Sequence, residues 1–529
     1  MKTLYHHGVV HTMDHRRTAQ ALLVENGRIR AVGRSDELLA LAPDAHAVDL
    51  KGAALLPGFI DAHSHITQLA KTMDLVPLVG CHSLEALLKA LRQALPSVPA
   101  GGWLIGHGYD HNDFAGKRHP DKHALDQVSA TVPILVAHAS GHMGCANSAA
   151  LAAMEVTANT PDPAGGRIGR LPSSAEPSGY LEENAFMQLS SRLPAPTPAQ
   201  QAAAFEKAQR LYASYGITTV QDGLTKRPEY QQLCALAEAH KLTLDIVSYL
   251  DIKDNAALLY CEPAYLNRYH DHLKFGGYKL FLDGSPQGRT AWLTQPYENV
   301  ENGYCGYPIY TDEQVLAFCQ KAVDDGQQLL AHCNGDAAAQ QFLDAYAQAL
   351  HRDHGVPRDL RPVMIHAQTL RPDQLPALAA LGMIPSFFLA HVYHWGDTHV
   401  ENLGSARAAR ISPARSALAL GLPYTLHQDT PVIAPDMLET VWCAVNRLTK
   451  SGRVLGPEEC LSVYDALCGV TRNAAYQYFE EHDKGTLTPG KRADLVVLDR
   501  DPFSVPANEL RQVKVLRTVK DGTSVYQAG

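Results

Sequence analysis

Short apolar runs that end in polar residues recur along the middle of the chain. The first covers residues 55–66, and seven more follow at 216–223, 243–250, 275–284, 327–336, 362–368, 383–389 and 423–429. Several of them are separated by amphipathic stretches with helical spacing, such as PAQQAAAFEKAQRLYASYG and TDEQVLAFCQKAVDDG. Eight strands alternating with helices predict an α/β fold of the (β/α)8 TIM-barrel type.

The two ends of the chain have a different pattern. Residues 1–56 read as short strands, and Asn26-Gly27 between two alternating runs predicts a hairpin. Residues 484–529 again contain strands separated by Gly and Asp turns. Because a small sheet needs a partner to bury its faces, we expect a composite β-sandwich built from both termini. Two unrelated terminal arms are the alternative.

The barrel is then expected to occupy residues 57–483. Within this range, residues 66–215 are far too long for a single connection between a strand and the next helix. We expect them to form an inserted subdomain, or lid, at the mouth of the barrel.

Composition limits the classes of function. The net charge of −9 argues against a nucleic-acid partner and against binding to an anionic membrane surface. No segment approaches the roughly 20 apolar residues of a membrane span, and the first residues lack the apolar core of a signal peptide. The ten cysteines include no Cys-x-x-Cys pair. A protein of the reducing cytoplasm is the expectation.

Active sites of TIM barrels lie at the carboxyl ends of the strands. Six residues with metal-ligand chemistry are expected there: His63, His65, Lys279, His332, His366 and Asp429. In a strand, His63 and His65 would point the same way and could hold one metal ion. Each residue alone has an ordinary alternative, such as a satisfied core histidine, a lysine paired with Asp283 or a helix-capping aspartate. All six on a common rim favour a metal site.

Longer motifs agree with this interpretation. They are PGFIDAHSH, GYDHN, SGHMGCANSAAL, GITTVQDG, GGYKLFLDGS, AHCNGDAA, IHAQ, HQDTPV and PGKRADLVVLDRDP, and they span nearly the whole chain. With these motifs the chain resembles the amidohydrolase superfamily. Within it, the chain is similar to the amidohydrolase 3 branch, which includes YtcJ-like proteins and N-substituted formamide deformylases.

The resemblance implies one or two divalent metal ions, expected to be zinc. The implied ligands of the more buried ion are His63, His65 and Asp429. Those of the second ion are His332 and His366. Lys279 resembles the bridging lysine that carries a carbamate, which would make it an N6-carboxylysine. One departure is the segment His427-Gln428-Asp429, where many relatives have Gly-Ser-Asp.

Each of these residue types suits a hydrolase. Divalent metal lowers the pKa of water and polarises a carbonyl group. Asp429 can accept a proton from the attacking water and pass it to the leaving amine. A protonated lysine is a poor ligand, but a carbamate on Lys279 is an anion with two oxygens. Asp429 is therefore the expected catalytic residue.

Candidate substrate contacts lie in loops. Asp110, beside His111, and His142 belong to the insertion, from which they could reach the mouth of the barrel. His391 and His394 follow the seventh strand and are expected in a loop on the rim. Solvated loop polarity is the alternative for each of them.

These features predict a hydrolase of a C–N bond in a small amide-like molecule, with formamides among the candidates. Deamination of an amino-heterocycle is the nearest alternative. A non-catalytic regulatory homologue is a second, and it is disfavoured because such proteins typically lose ligands. A homodimer is compatible with the sequence.

Overall fold

The computed structural model describes residues 2–15, 18–139, 142–193, 195–300, 302–352 and 358–529. The chain divides into two compact units. The main unit consists of Met1–Leu69 and Glu206–Gly529, and the insert unit of Ala70–Phe205. The insert unit falls inside the stretch 66–215 that is too long for a simple connection.

A parallel sheet of eight strands forms the centre of the main unit. Its strands are hydrogen-bonded in chain order: Phe59–Ile60, Ile217–Thr225, Asp245–Asp251, Leu273–Phe281, Gln328–Cys333, Val363–His366, Ile384–Phe387 and Thr425–Leu426. All seven strand pairings are parallel. The predicted strands therefore exist, with ends that differ by a few residues from those that the apolar runs indicated.

This sheet curls on itself. Ile60 of the first strand and Ile384 of the seventh belong to one buried apolar cluster, which a flat sheet would keep far apart. Beyond the strand ends, the His65 N–H donates to the Thr430 carbonyl at 2.8 Å, and the Asp429 N–H donates to the His63 carbonyl at 3.2 Å. The segments that follow the first and last strands thus lie side by side.

Helices connect the strands. The α-helices of the chain from residue 198 onward are Pro198–Ser214, Arg227–Glu238, Asp312–Asp325, Asp336–Arg352, Leu375–Ala380, His391–Ala408, Ala414–Ala419, Met437–Asn446, Val463–Gly469 and Arg472–Gln477. Local sequence sets their ends. Thr311 and Gln314 form a capping box at the start of Asp312–Asp325, and Gly326, with φ 66°, ends that helix in a left-handed turn. Among the described residues, none of the helices has the length and apolar character that a membrane span requires.

Two smaller sheets come from the chain ends. One contains Lys2–His6, Ala21–Glu25, Arg28–Gly33 and His46–Asp49. The other contains Val9–His11, Thr18–Ala19, Ala54–Pro57, Leu495–Leu498, Val515–Lys520 and Thr523–Gln527. Ala54–Pro57 pairs with Leu495–Leu498, so both termini contribute to one sheet. The predicted hairpin is present, since Asn26 (φ 50°) and Gly27 (φ 78°) join two antiparallel strands.

The insert unit has a mixed six-stranded sheet. In spatial order its strands are Gly166–Arg170, Pro177–Glu183, Met143–Ala146, Ile134–His138, Leu104–Tyr109 and Val76–Pro77. Its longer helices are Leu84–Ala94, Ser148–Ala153 and Asn184–Ser190. Leu104–Tyr109 runs parallel to Ile134–His138, so the carboxyl ends of these two strands are neighbours.

Candidate metal centre

The six residues selected as metal ligands meet at the carboxyl ends of the parallel sheet. Nε2 of His63 and Nε2 of His65 each lie 3.3 Å from Oδ1 of Asp429. Nζ of Lys279 lies 3.5 Å from the same His63 nitrogen. These four side chains therefore direct donor atoms at a common point.

His332 and His366 form the adjoining part of the centre. Nδ1 of His332 lies 3.0 Å from Nε2 of His366, and the latter lies 4.0 Å from Oδ2 of Asp429. Asp429 thus faces both groups of donors, with one carboxylate oxygen toward each.

The backbone places two of these side chains in an uncommon conformation. His366 has φ 70° and Asp429 has φ 56°, values in the left-handed region that non-glycine residues seldom adopt. Residues held in such conformations concentrate at functional sites. The first strand also differs from expectation, because it ends at Ile60 rather than continuing to the histidines. An isolated bridge between His65 and Asp222 holds the segment that follows.

Each of three histidines has a partner on the nitrogen that faces away from the centre. Nδ1 of His63 lies 2.6 Å from Oε1 of Gln221. Nε2 of His332 lies 3.2 Å from the carbonyl oxygen of Gly284. Such outer partners fix the tautomer and leave the other nitrogen for a metal.

The third partner is His427. Its Nε2 lies 3.2 Å from Nδ1 of His366, and its Nδ1 lies 2.9 Å from Oγ of Ser386. Sequence reasoning singled out His427 only as a departure from the family pattern and gave it no role. Gln221 was missed, and its signal was its place in the motif GITTVQDG beside the second strand's end.

Burial keeps three histidines, His63, His332 and His366, in the uncharged form that binds metals. It lowers the pKa of His332 to about 3 and the pKa of His63 and His366 well below the usual value. Burial also lowers the pKa of Lys279 to about 7, although the Asp429 carboxylate raises it in part. Among the described residues no ion pair joins Lys279 to Asp283. The Asp283 carboxylate instead accepts backbone N–H groups of Trp292, Asn334 and Gly335.

The donor set fits a divalent metal. Oδ1 of Asp429 is buried and accepts no hydrogen bond from the described residues, even though two imidazole nitrogens lie 3.3 Å away. Ligand atoms bound to one zinc ion at 2.0–2.2 Å are about 3–3.5 Å apart, which matches these separations. His63, His366 and Asp429 offer donor atoms within 4.8 Å of one another.

Two of the substrate-contact candidates lie in a helix rather than in a loop. His391 and His394 belong to the helix His391–Ala408, so the expectation of a rim loop is wrong. His391 is buried with Nδ1 3.0 Å from Nε2 of His399, and Nε2 of His394 lies 2.9 Å from Oε1 of Glu439.

Asp110 and His142 are in the insert unit. The Asp110 carboxylate accepts the backbone N–H of Asn112 at 2.8 Å, and the exposed His142 lies 3.0 Å from Glu183 through Nδ1.

Histidines, a lysine and an aspartate gathered at the carboxyl ends of a curled parallel sheet are typical of one class of proteins, the metal-dependent hydrolases. A family model described as "Amidohydrolase family" matches residues 46–526, and the chain belongs to that family. A second model, for an imidazolonepropionase-like composite domain of bacteria, matches residues 21–45.

Individual relatives are similar to this chain over nearly its full length. The chain is 31% identical to N-substituted formamide deformylase of Arthrobacter pascens, over 98% of this chain and 97% of that protein. It is 27% identical to the putative amidohydrolase YtcJ of Bacillus subtilis (strain 168), over all of both. The crystal structure of an uncharacterized metal-dependent hydrolase from Pyrococcus furiosus superposes with a TM-score of 0.76 at 24% identity, over 95% of this chain and all of that one, which shows a shared fold.

Proposed function

We propose that the protein is a metal-dependent hydrolase that cleaves the C–N bond of a small amide-like molecule, with formamides as the first candidates. The observation that carries the proposal is the convergence of Nε2 of His63 and of His65 on Oδ1 of Asp429, each at 3.3 Å, in a largely buried pocket. The similarity to an N-substituted formamide deformylase supports the choice of formamides.

The side chains divide into two ligand groups. His63, His65 and Asp429 hold the first ion through the atoms that face one another. His332 and His366 hold the second through Nδ1 and Nε2, which lie 3.0 Å apart. Zinc suits this set because imidazole nitrogens and a carboxylate are among its ordinary ligands.

Lys279 joins the two groups as a carbamate. Its side chain is fully buried, and its pKa is lowered to about 7 by that burial, so the neutral amine is available at physiological pH. A neutral amine adds carbon dioxide and releases one proton to give a carbamate anion. As a carbamate, Lys279 would offer oxygen ligands to bound metal, which an ammonium group cannot do.

Bound divalent metal supplies acidification of water and polarisation of the substrate carbonyl. The proton transfers belong to Asp429. Its Oδ1 faces His63 and His65, so Oδ2 is the atom left to accept a proton from the attacking water and return it to the leaving nitrogen. His63 and His332 stay fixed through Gln221 and Gly284 and do not exchange protons.

The remaining assignments extend this proposal to the whole chain. The curled sheet forms a (β/α)8 barrel over 57–483, and residues 1–56 and 484–529 form a composite sandwich. The pairing of Ala54–Pro57 with Leu495–Leu498 supports the latter. His391 and His394 are the substrate contacts proposed for the main unit.

A hydrolysis screen tests the reaction. Zinc- or manganese-loaded protein is incubated with N-substituted formamides, longer N-acyl amines, cyclic amides and amino-heterocycles, and the released acid, amine or ammonia is quantified. We expect equimolar acid and amine from the amides, and no turnover by the His63→Ala/His65→Ala variant prepared in parallel. Ammonia released from heterocycles alone would replace the amidase assignment by a deaminase. No turnover by a fully metal-loaded protein on any class would favour a non-catalytic role.

A further inference from the structure

A second group of metal-ligating atoms lies in the insert unit, formed by Asp110, His111 and His138. Nδ1 of His111 lies 3.2 Å from Nε2 of His138. Oδ1 of Asp110 lies 3.4 Å from that His138 nitrogen and 3.7 Å from the His111 nitrogen. The three atoms therefore form a closed triangle.

The sheet of the insert unit produces this arrangement. His138 is the last residue of the strand Ile134–His138 and pairs with Tyr109, the last residue of Leu104–Tyr109. Asp110 and His111 come directly after Tyr109. Because the two strands are parallel neighbours, the side chains at their carboxyl ends meet at one edge of the sheet. The metal-ligating side chains of the main unit likewise meet at the carboxyl ends of parallel strands.

Hydrogen bonding accounts for only part of this triangle. Oδ1 of Asp110 accepts hydrogen bonds from the backbone N–H and the side-chain amide of Asn112 at 2.8 and 2.9 Å. Nε2 of His138 carries at most one proton, which it can direct to His111 or to Asp110 but not squarely to both. A cation at the centre is attracted by the two imidazole lone pairs and by the negative charge of the carboxylate at once. The spacings of 3.2 and 3.4 Å lie within the separation of about 3–3.5 Å expected between ligands of one zinc ion, and the third, 3.7 Å, lies slightly above it. They also match the spacings around Asp429.

Neighbouring side chains hold the three donors in place. The His119 ring stacks on the His111 ring with centroids 3.8 Å apart, and the Tyr109 hydroxyl lies 2.9 Å from Nδ1 of His119. The Asp110 carboxylate is fixed by the backbone N–H of Asn112 at 2.8 Å.

We propose that Asp110, His111 and His138 bind one Zn²⁺ ion, separately from the centre at Asp429. Two imidazoles and a carboxylate are a zinc-type donor set, and three protein ligands leave the fourth position of a tetrahedral ion for water or another ligand. The exposed fraction falls from 41% for the Asp110 side chain to 23% for His111 and 9% for His138. The ion therefore enters from the Asp110 side. This proposal is independent of the reaction proposed for the main unit.

Zinc stoichiometry and affinity of the full-length protein test the site. Apo protein is titrated with Zn²⁺ against a chromophoric chelator for the parent, His111→Ala and a control, His123→Ala, whose imidazole is exposed in the same unit. We expect the parent and His123→Ala to bind one more equivalent than His111→Ala. Equal stoichiometry in all three would overturn the site.

A second variant guards against misfolding of the first. Asp110→Asn keeps the oxygen that caps the following turn but removes the negative charge. We expect its zinc affinity at this site to fall at least about 10-fold, the lower bound found when even outer partners of a metal ligand are removed. Unchanged affinity in Asp110→Asn, with circular dichroism equal to that of the parent, would also refute the site.

Discussion

His427 shows how a single residue can adapt a shared metal centre. It is fully buried, and its ring connects His366 to Ser386 through two contacts of 3.2 and 2.9 Å. If His366 donates its Nδ1 proton to His427, then His427 carries its own proton on Nδ1 and donates it to the Ser386 hydroxyl. This series of hydrogen bonds leaves Nε2 of His366 with a lone pair directed toward the position proposed for the second ion. A glycine at position 427 could not provide it.

Replacing His427 should therefore weaken the second ion. We expect His427→Ala to lower the affinity of that ion about 10–100-fold, the effect typical of removing an outer partner. His427→Gln, which retains an acceptor, should recover part of the loss. Zinc competition titration of the parent and both variants measures this. Identical affinities in His427→Ala and the parent would contradict a positioning role.

Asp429 is the residue on which the proposed chemistry depends most. Asp429→Asn keeps the size of the side chain and removes the basic oxygen that would carry the proton. We expect kcat to fall about 10²–10⁴-fold, as for other general acid–base groups. Metal content measured on the same sample separates lost proton transfer from lost metal. A metal-loaded variant with kcat within a few-fold of the parent would exclude Asp429 as the proton carrier.

At the scale of elements, apolar runs predicted strands well and failed where the pattern was absent. The sheet strands could be placed because a buried parallel strand is apolar on both faces. The helix His391–Ala408 could not be predicted from the sequence, because its buried positions include His391, His399 and Asn402 rather than a regular apolar stripe. The outer partners of the metal ligands were also hidden, since Gln221 lies 158 positions from the His63 that it contacts.

Gly277 lies in the strand that contains Lys279, at a position where the backbone leaves no room for a side chain. It has φ +139°, and an added Cβ would lie 2.2 Å from the backbone oxygen of Gln328 in the next strand. We expect Gly277→Ala to lower the free energy of unfolding by about 1–3 kcal/mol through strain, and to reduce bound metal by shifting Lys279.

Gly382→Ala is the matched control for this prediction. Gly382 also has a left-handed φ, +61°, but an added Cβ meets nothing within 4 Å. Chemical denaturation of both variants should show the larger loss for Gly277→Ala, and metal content should fall in that variant alone. Equal stability of the two variants would show that the neighbouring strand can move to accommodate the added Cβ without a loss of folding free energy.

At the scale of the whole molecule, a buried charge network ties the C-terminal segment to the parallel sheet. Asp245 of the third strand lies 2.5 Å from Nζ of Lys484 and 2.9 Å from Nζ of Lys520. Although burial raises the pKa of Asp245, the two lysines hold it well below its usual range. The carboxylate is therefore charged in the folded protein. It shares the two buried lysines with other carboxylates, since Glu480 lies 2.7 Å from Lys484 and Asp494 lies 3.1 Å from Lys520.

Removing that carboxylate should destabilise the fold. We expect Asp245→Ala to lower the free energy of unfolding by about 1.5–3 kcal/mol, because Lys484 and Lys520 lose the carboxylate that they share and keep only their remaining acidic partners. The exposed Asp254→Ala serves as control and should be near neutral. A comparable small effect of both variants in urea denaturation would show that the remaining carboxylates suffice for the two lysines.

The overall organisation could be predicted because its signals are repeated along the chain. Eight apolar runs, strand-rich ends and a long insertion each leave a pattern in the sequence, and Asn26-Gly27 specifies its turn directly. The six donors could be selected because they follow strands and match family motifs. Contacts such as Lys484 with Asp245, or His111 with His138, leave no such pattern, since they arise from folding of distant segments.

Anomalous diffraction at the zinc edge is the most direct test of the proposed metal centre at Asp429. In crystals of zinc-loaded protein, we predict an anomalous peak about 2.0–2.2 Å from Nε2 of His63, Nε2 of His65 and Oδ1 of Asp429. A map with zinc peaks elsewhere and none at these three atoms would show that these residues do not form the metal centre.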